Sequence, residues 1–383
     1  MGSLPGCPAA GKWILQTMCR QEIYNACNRR QGMEYGTQNR NIQYDLLRIL
    51  AAFSVVMLHS AAQHWYDLPI DGRAWKTVNA YDACFRFGVP IFVMISGAIF
   101  LDPKRELDVK RLYRHNMLRL AVIYLLWGAA YGLMDCYHYG FANLTWKDIL
   151  KEMASGRYHL WYLPMLVGIY ALLPVLRSWV LQARKQNLQY FLALFAVLQV
   201  LRVTALAFVK NDQLRHLLSL GEIPMVCGYL GYFVLGYYLV HIGIPRKTHK
   251  IFYLAALPCA ALNILISTLQ TARDGVPNGG IYDGFCLFTF LLVIAVFLFF
   301  TEGIKNHKWG KGSAAVIAEL SKGTLGIYLL HIGVMELLEA RGIHSAMMPV
   351  AVGVPLLALL VFALCYGISA LLRRIPWVGR YLC

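Results

Sequence analysis

The sequence predicts an all-α polytopic integral membrane protein of about ten transmembrane helices, and three observations predict it. Apolar residues fill 58% of 383 positions and charged residues only 15%, which would leave a soluble fold with more apolar surface than it can hide. The apolar residues also bunch into runs near the ~20 residues needed to cross ~30 Å of hydrocarbon. Finally, the runs are continuous, as from Phe285 to Phe300. In lipid only helices or closed barrels satisfy their backbone groups, and barrel strands alternate weakly instead of running on.

In chain order, residues 1–40 are mixed and polar. They lack an uninterrupted apolar core before a small-residue cleavage site, so no removable signal peptide is expected, and the first span serves as its own membrane signal. The spans are expected over 42–63, 81–101, 117–137, 159–177, 188–209, 223–243, 251–270, 282–301, 321–339 and 349–371. The connections are too short to hold a folded soluble domain, and no internal repeat of the kind found in many transporters is visible. The chain is thus read as a cytoplasmic N-terminal extension (1–40), a membrane domain (41–372) and a short basic cytoplasmic tail (373–383).

Orientation follows from the basic residues. Of the 36 Lys and Arg, 24 fall on the side holding both termini and 9 on the other, so the positive-inside bias puts both termini of this multi-pass protein in the cytoplasm. That topology accounts for the net charge of +16. A nucleic-acid partner is not expected, because the cations form no patch interleaved with aromatics. Most of the ten cysteines sit inside apolar runs, and Cys7, Cys19 and Cys27 show no CxxC spacing, so neither a metal site nor a disulfide framework is predicted.

Chemistry-bearing residues concentrate in the first span, which contains Asp45, Arg48 and, eleven residues after the arginine, His59. Eleven steps of ~100° return to within ~20° of the start, so Arg48 and His59 share a helix face ~16 Å apart. Asp45 lies on the same face, ~21 Å from His59, too far to orient the imidazole and placed instead to hold Arg48. Two readings stand at this point. One is an interfacial ion pair with an unrelated hydrogen-bonded interior histidine; the other is a polar channel, since ionisable groups in hydrocarbon normally face a cavity or a partner.

Further segments bear on that choice. Arg followed by ten residues and His, in a first span opening Asp-x-x-Arg, resembles the signature of the acyltransferase 3 family of membrane acyltransferases. The segment Phe87 to Gly97 (FGVPIFVMISG) resembles its second-span motif, and Arg111-Leu112-Tyr113-Arg114 its RxxR element. His159-Leu160-Trp161-Tyr162-Leu163 is similar to the aromatic entry of a later span. Gly231 to Tyr237 is similar to the family's YFxLGY stretch, and Ser321 to His331 to its penultimate span. The ordered set covers roughly residues 42–371, without the esterase-like domain some members append.

The resemblance implies transfer of an acyl group, usually acetyl, from cytoplasmic acyl-CoA to a hydroxyl of a carbohydrate or surface-glycan precursor, with acetyl-CoA or another acyl-CoA as co-substrate and no metal. Arg111, Arg114 and Arg119, with Arg48 further in, are then candidates for the coenzyme's anionic head, because the guanidinium fork donates paired hydrogen bonds to phosphate. His59 is the candidate general base, its unperturbed pKa of ~6.5 lying near working pH. Arg86 is a candidate for oxyanion stabilisation or for an acidic acceptor. His159, Trp161, Tyr162, Glu222, Tyr282 and Asp283 are acceptor-side candidates, and Asp45 and His331 are secondary ones. Besides the bilayer, acyl-CoA and a carbohydrate, the sequence specifies no partner and leaves oligomeric state open. From a different class, a transporter with a polar path and no bond-making chemistry is the alternative.

Overall fold

The computed structural model describes residues 41–140, 145–375 and 379. The chain divides into the units Met1–Ile42 and Gln43–Cys383, of which the second is described below. The extension expected over 1–40 and most of the tail expected over 373–383 lie outside the described residues.

Among the described residues there is no strand. The principal helices are α1 (Ile42–Ala62), α2 (Arg73–Cys84), α3 (Gly88–Phe100), α4 (Leu118–Tyr139), α5 (Trp146–Ser155), α6 (Tyr162–Gln182), α7 (Lys185–Phe195), α8 (Arg202–Phe208), α9 (Asp212–Ser219), α10 (Met225–Tyr237), α11 (Arg246–Asp274), α12 (Leu287–Leu298), α13 (Lys311–Lys322), α14 (Thr324–Glu339) and α15 (Val350–Leu372). Among them are nine stretches long and apolar enough to cross a membrane, or ten when the bent pair α13 and α14 is one span. The expected spans are present, and several underestimate their helices. The second begins at Arg73 rather than 81, and the seventh runs from Arg246 to Asp274 rather than over 251–270. Hydropathy senses only the part in hydrocarbon, whereas a helix continues through its polar ends.

The ninth span differs in kind. At ~1.5 Å per residue the 16 residues of α14 reach ~24 Å, short of ~30 Å of hydrocarbon. It meets α13 at a bend of 55°. The break falls at Gly323, where a Cβ would collide with the Tyr366 ring, and the freed Ser321 carbonyl accepts from Thr324 Oγ1 at 2.9 Å. Ser321 Oγ donates to Asp45 at 2.7 Å, so the bend is fastened to α1.

Close packing of α3 on α10 centres on two glycines. A Cβ at Gly97 would fall on the Phe233 carbonyl, and one at Gly236 on the Met94 carbonyl, so the backbones touch as they do at small-residue crossings in membranes. Burial sorts the remaining helices. The apolar window of α1 is 56% buried and that of α11 only 17%. Accordingly α1 turns small residues such as Ala51 and Ser54 inward, while α11 presents Leu254 and Leu257 outward, as a lipid-facing helix does. The ten residues of α5 are too few to cross. Thr145 and Asp148 close a capping box at its start.

Candidate functional site

A stripe of α1 organises the interior. Arg48 and Val55 are seven residues apart and His59 four further on, so all three lie within ~40° of one direction. Arg48 and Val55 line one cavity, of about 420 Å³, and His59 lines another, of about 240 Å³. The two are called here the Arg48-side and His59-side cavities.

The Arg48-side cavity has arginines as its charged residues and is otherwise mostly aliphatic and aromatic. Arg48, Arg105 and Arg119 line it, together with Phe92, Tyr162 and Tyr328. Arg48 is held by Asp45 at 3.2 Å, a carboxylate that is 1% exposed. Burying that carboxylate is tolerated because the guanidinium and the Ser321 hydroxyl both serve it. Arg105 lies over the Phe100 ring at 4.4 Å, on a loop clamped from within. Buried Arg177 of α6 donates to the carbonyls of Phe100, Asp102 and Arg105.

Three histidines lie one helical turn beyond this cavity. His59 follows Val55 by four residues on α1, His331 follows the cavity-lining Tyr328 by three on α14, and His159 precedes the cavity-lining Tyr162 by three at the entry to α6. His331 stands at the centre of the group, its ring centroid 5.1 Å from that of His59 and 5.1 Å from that of His159. His331 is wholly buried and His159 nearly so. Beyond the layer, the His59-side cavity is bounded by Gln63, Tyr158, Glu336 and Glu339. Its carboxylates are partly satisfied. Arg157 bridges Glu336 at 2.9 Å and Asp135 at 2.8 Å, and Gln63 Nε2 donates to Glu339 at 2.9 Å.

The candidates from the sequence separate accordingly. His59, Arg48, Asp45, His159 and His331 come together along or beside the α1 stripe, and Arg119 joins Arg48 in the cavity wall. Arg111 and Arg114 are exposed on the segment before α4 and do not line that cavity. Arg86 is engaged by Asp82 through two bonds, Nε to Oδ1 at 2.8 Å and Nη2 to Oδ2 at 2.6 Å. It also lies over the Tyr282 ring at 5.0 Å. With Tyr282, Trp65 and Tyr66 it bounds a separate cavity of about 320 Å³. Tyr162, expected on the acceptor side, instead walls the Arg48-side cavity, because the turn Tyr158–Trp161 carries the chain inward before α6 begins. Trp161 packs on Tyr229 at 5.6 Å between ring centroids. Glu222 is exposed in a loop, and Asp283 accepts from the Phe285 amide at 2.9 Å as a local turn.

Sequence reasoning missed Arg105, Arg177, Tyr158, Gln63, Glu336 and Glu339. For the two glutamates a signal was present. Ile332, Met335, Glu336 and Glu339 have the i, i+3, i+4, i+7 spacing of one helix face, and an acid at the end of an apolar span warrants a functional hypothesis.

Comparison with known families places this geometry in context. The family model described as an acyltransferase domain matches residues 41–374. No curated protein and no solved structure matches the chain.

Proposed function

The chain belongs to the acyltransferase 3 family and is a multi-pass membrane acyltransferase, and from that premise we propose that it moves an acyl group, acetyl by preference, from cytoplasmic acyl-CoA to a hydroxyl of a carbohydrate or surface-glycan precursor. The observation that carries the proposal is the α1 stripe, whose two ends open on cavities of opposite character. The basic residues of the Arg48 side orient it to the cytoplasm of a plasma membrane. There Arg48, Arg105 and Arg119 suit the anionic and amide groups of the coenzyme. Arg111 and Arg114, exposed outside the wall, add charge at the approach. The apolar and aromatic lining fits the pantetheine arm, which has to lead the thioester toward the histidine layer.

In this reading His59 removes the proton from the acceptor hydroxyl held in the opposite cavity. The hydroxyl oxygen attacks the thioester carbonyl carbon, the C–S bond breaks with its electron pair going to sulfur, and His59 returns the proton to the thiolate, giving an ester and free coenzyme A thiol. Glu336, Glu339 and Gln63 are suited to accept and donate hydrogen bonds to sugar hydroxyls. Arg86, neutralised by Asp82, is a poor grip for an acidic acceptor.

Acetyl-CoA labelled in the acetyl group tests the assignment with the full chain in lipid nanodiscs. The expected result is catalysed release of free thiol, with label passing to an added sugar acceptor or slowly to water. His59→Ala should reduce the rate by about 10²–10⁴-fold, the range of general-base catalysis. Uncleaved acetyl-CoA in the presence of wild-type protein, together with label crossing the bilayer of proteoliposomes, would favour a transporter and end the enzymatic reading.

A further inference from the structure

No carboxylate is bonded to His59 among the described contacts, although a histidine base ordinarily needs a partner that fixes its tautomer and supports the imidazolium. His331 is placed to supply that partner. Its Nδ1 lies 2.7 Å from the Tyr328 carbonyl, and because a carbonyl only accepts, Nδ1 carries the hydrogen. The neutral ring then has its lone pair on Nε2, an atom that is buried and has no hydrogen-bond partner among the described residues. Such an orphan in a dry interior calls for a reason.

The ring spacing supplies one. Elsewhere in the molecule His64 Nε2 and His344 Nδ1 are hydrogen-bonded at 3.1 Å with their centroids 4.9 Å apart. His59 and His331, at 5.1 Å, have nearly the same separation without the bond, which puts the two rings within reach of one; His159, at the same 5.1 Å but nearly buried, has less room to turn than the partly exposed His59. Tightening on substrate binding is common in catalytic hydrogen bonds.

We propose that His331 is the positioning residue of a histidine dyad: its Nε2 accepts from the ring N–H of His59, leaving the other His59 nitrogen bare toward the acceptor cavity. The chain of dipoles runs from the Tyr328 carbonyl through both imidazoles to the acceptor hydroxyl, each bond polarising the next. A neutral imidazole thereby takes the place that a carboxylate holds in a hydrolase triad. The inference rests on His59 being the base.

The groups around His59 enter the pH behaviour. They are His331 on α14, His159 and Tyr158 at the entry to α6, Glu336 and Glu339 across the cavity, and Arg86 after α2. A dyad partner bears on how readily the base takes and gives up its proton, so removing it displaces the acid limb of the kcat profile. The experiment is the pH profile of thiol release from acetyl-CoA by the full chain in nanodiscs, for wild type, His331→Leu, His331→Gln, His159→Phe and His59→Ala. For His331→Leu the expected result is a fall in kcat of about 100-fold, an acid limb displaced by about one pH unit, and a KM for acetyl-CoA within threefold of wild type. His331→Gln, whose amide oxygen can accept from His59, should recover at least a tenth of wild-type kcat.

Three outcomes overturn the dyad alone: an unmoved limb in His331→Leu, a folded His331→Gln variant as inactive as His59→Ala, or a displaced limb that appears in His159→Phe in place of His331→Leu. Should His331→Leu fail to fold, the glutamine variant decides by itself. Unaltered activity in His59→Ala removes the base, and the dyad with it.

Discussion

The two ends of the α1 stripe share α1 and α14 as walls yet differ in charge. On the Arg48 side the charged wall residues are three arginines; on the His59 side two glutamates accompany His59, with Arg157 tied down by Asp135 and Glu336. Such a division suits a bisubstrate reaction in which one substrate is a polyanion and the other an uncharged polyol. Glutamates disfavour a polyanion, so on the proposed assignment the donor is directed to the arginine end. The contrast predicts that mutations at one end change KM for one substrate only.

Removing cation from the Arg48 side should give the largest separation. Arg48→Ala is expected to raise KM for acetyl-CoA by about 10–100-fold, the worth of one charged hydrogen bond lost, while KM for a sugar acceptor stays within twofold. The alanine variant also leaves the Asp45 carboxylate buried with one partner fewer, so Arg48→Lys is the cleaner comparison. It retains charge for Asp45 but loses the planar fork, and should fall between wild type and alanine. Parallel changes in both KM values for Arg48→Lys would mean that the two cavities do not divide the substrates.

A smaller effect is expected from reversing charge at the opposite end. Glu339→Lys should shift preference toward acidic sugars, measured as the ratio of kcat/KM for a uronic acid over a neutral hexosamine, by about tenfold, with acetyl-CoA kinetics unchanged. An unaltered ratio would show that the acceptor bypasses the cavity beside His59.

How much of this was legible beforehand depends on the range of the interaction involved. Helix number and the shared face of Arg48 and His59 follow from local periodicity, and the Asp45 to Arg48 pair from a three-residue spacing; the structure has all of them. What lies near His59 was not legible, because His159 and His331 arrive from two other spans a hundred or more residues away. No spacing rule ties residues on separate spans. The break at Gly323 was likewise hidden, since it reflects a ring on α15 pressing against a glycine in the α13–α14 pair. Tyr162 lies in the Arg48-side cavity and not beside Glu336 for a related reason. A short turn before α6 sets its depth, and hydropathy does not register depth to within one turn. Arg177 closes the span expected over 159–177, and the three backbone carbonyls it holds have no signature in sequence.

That last residue gives the finest test of the division. Arg177 is 7% exposed and does not itself line the Arg48-side cavity; its guanidinium holds the loop from Phe100 to Arg105, whose two end residues do line it, through carbonyls alone. Arg177→Met conserves much of the side-chain volume while releasing those carbonyls, which lie close enough to the helix end for water to take over part of their hydrogen bonding. The loss is therefore smaller than for a sealed interior. A fall in melting temperature of a few degrees is expected, with Arg105 freed to leave its place over Phe100. KM for acetyl-CoA should then rise about threefold, and kcat and acceptor KM should stay put, because nothing on the His59 side is attached to this loop. A variant that shifts acceptor KM as much as donor KM would show that the loop couples the two cavities, and the separation drawn here between a donor end and an acceptor end would have to give way to a single, jointly formed site.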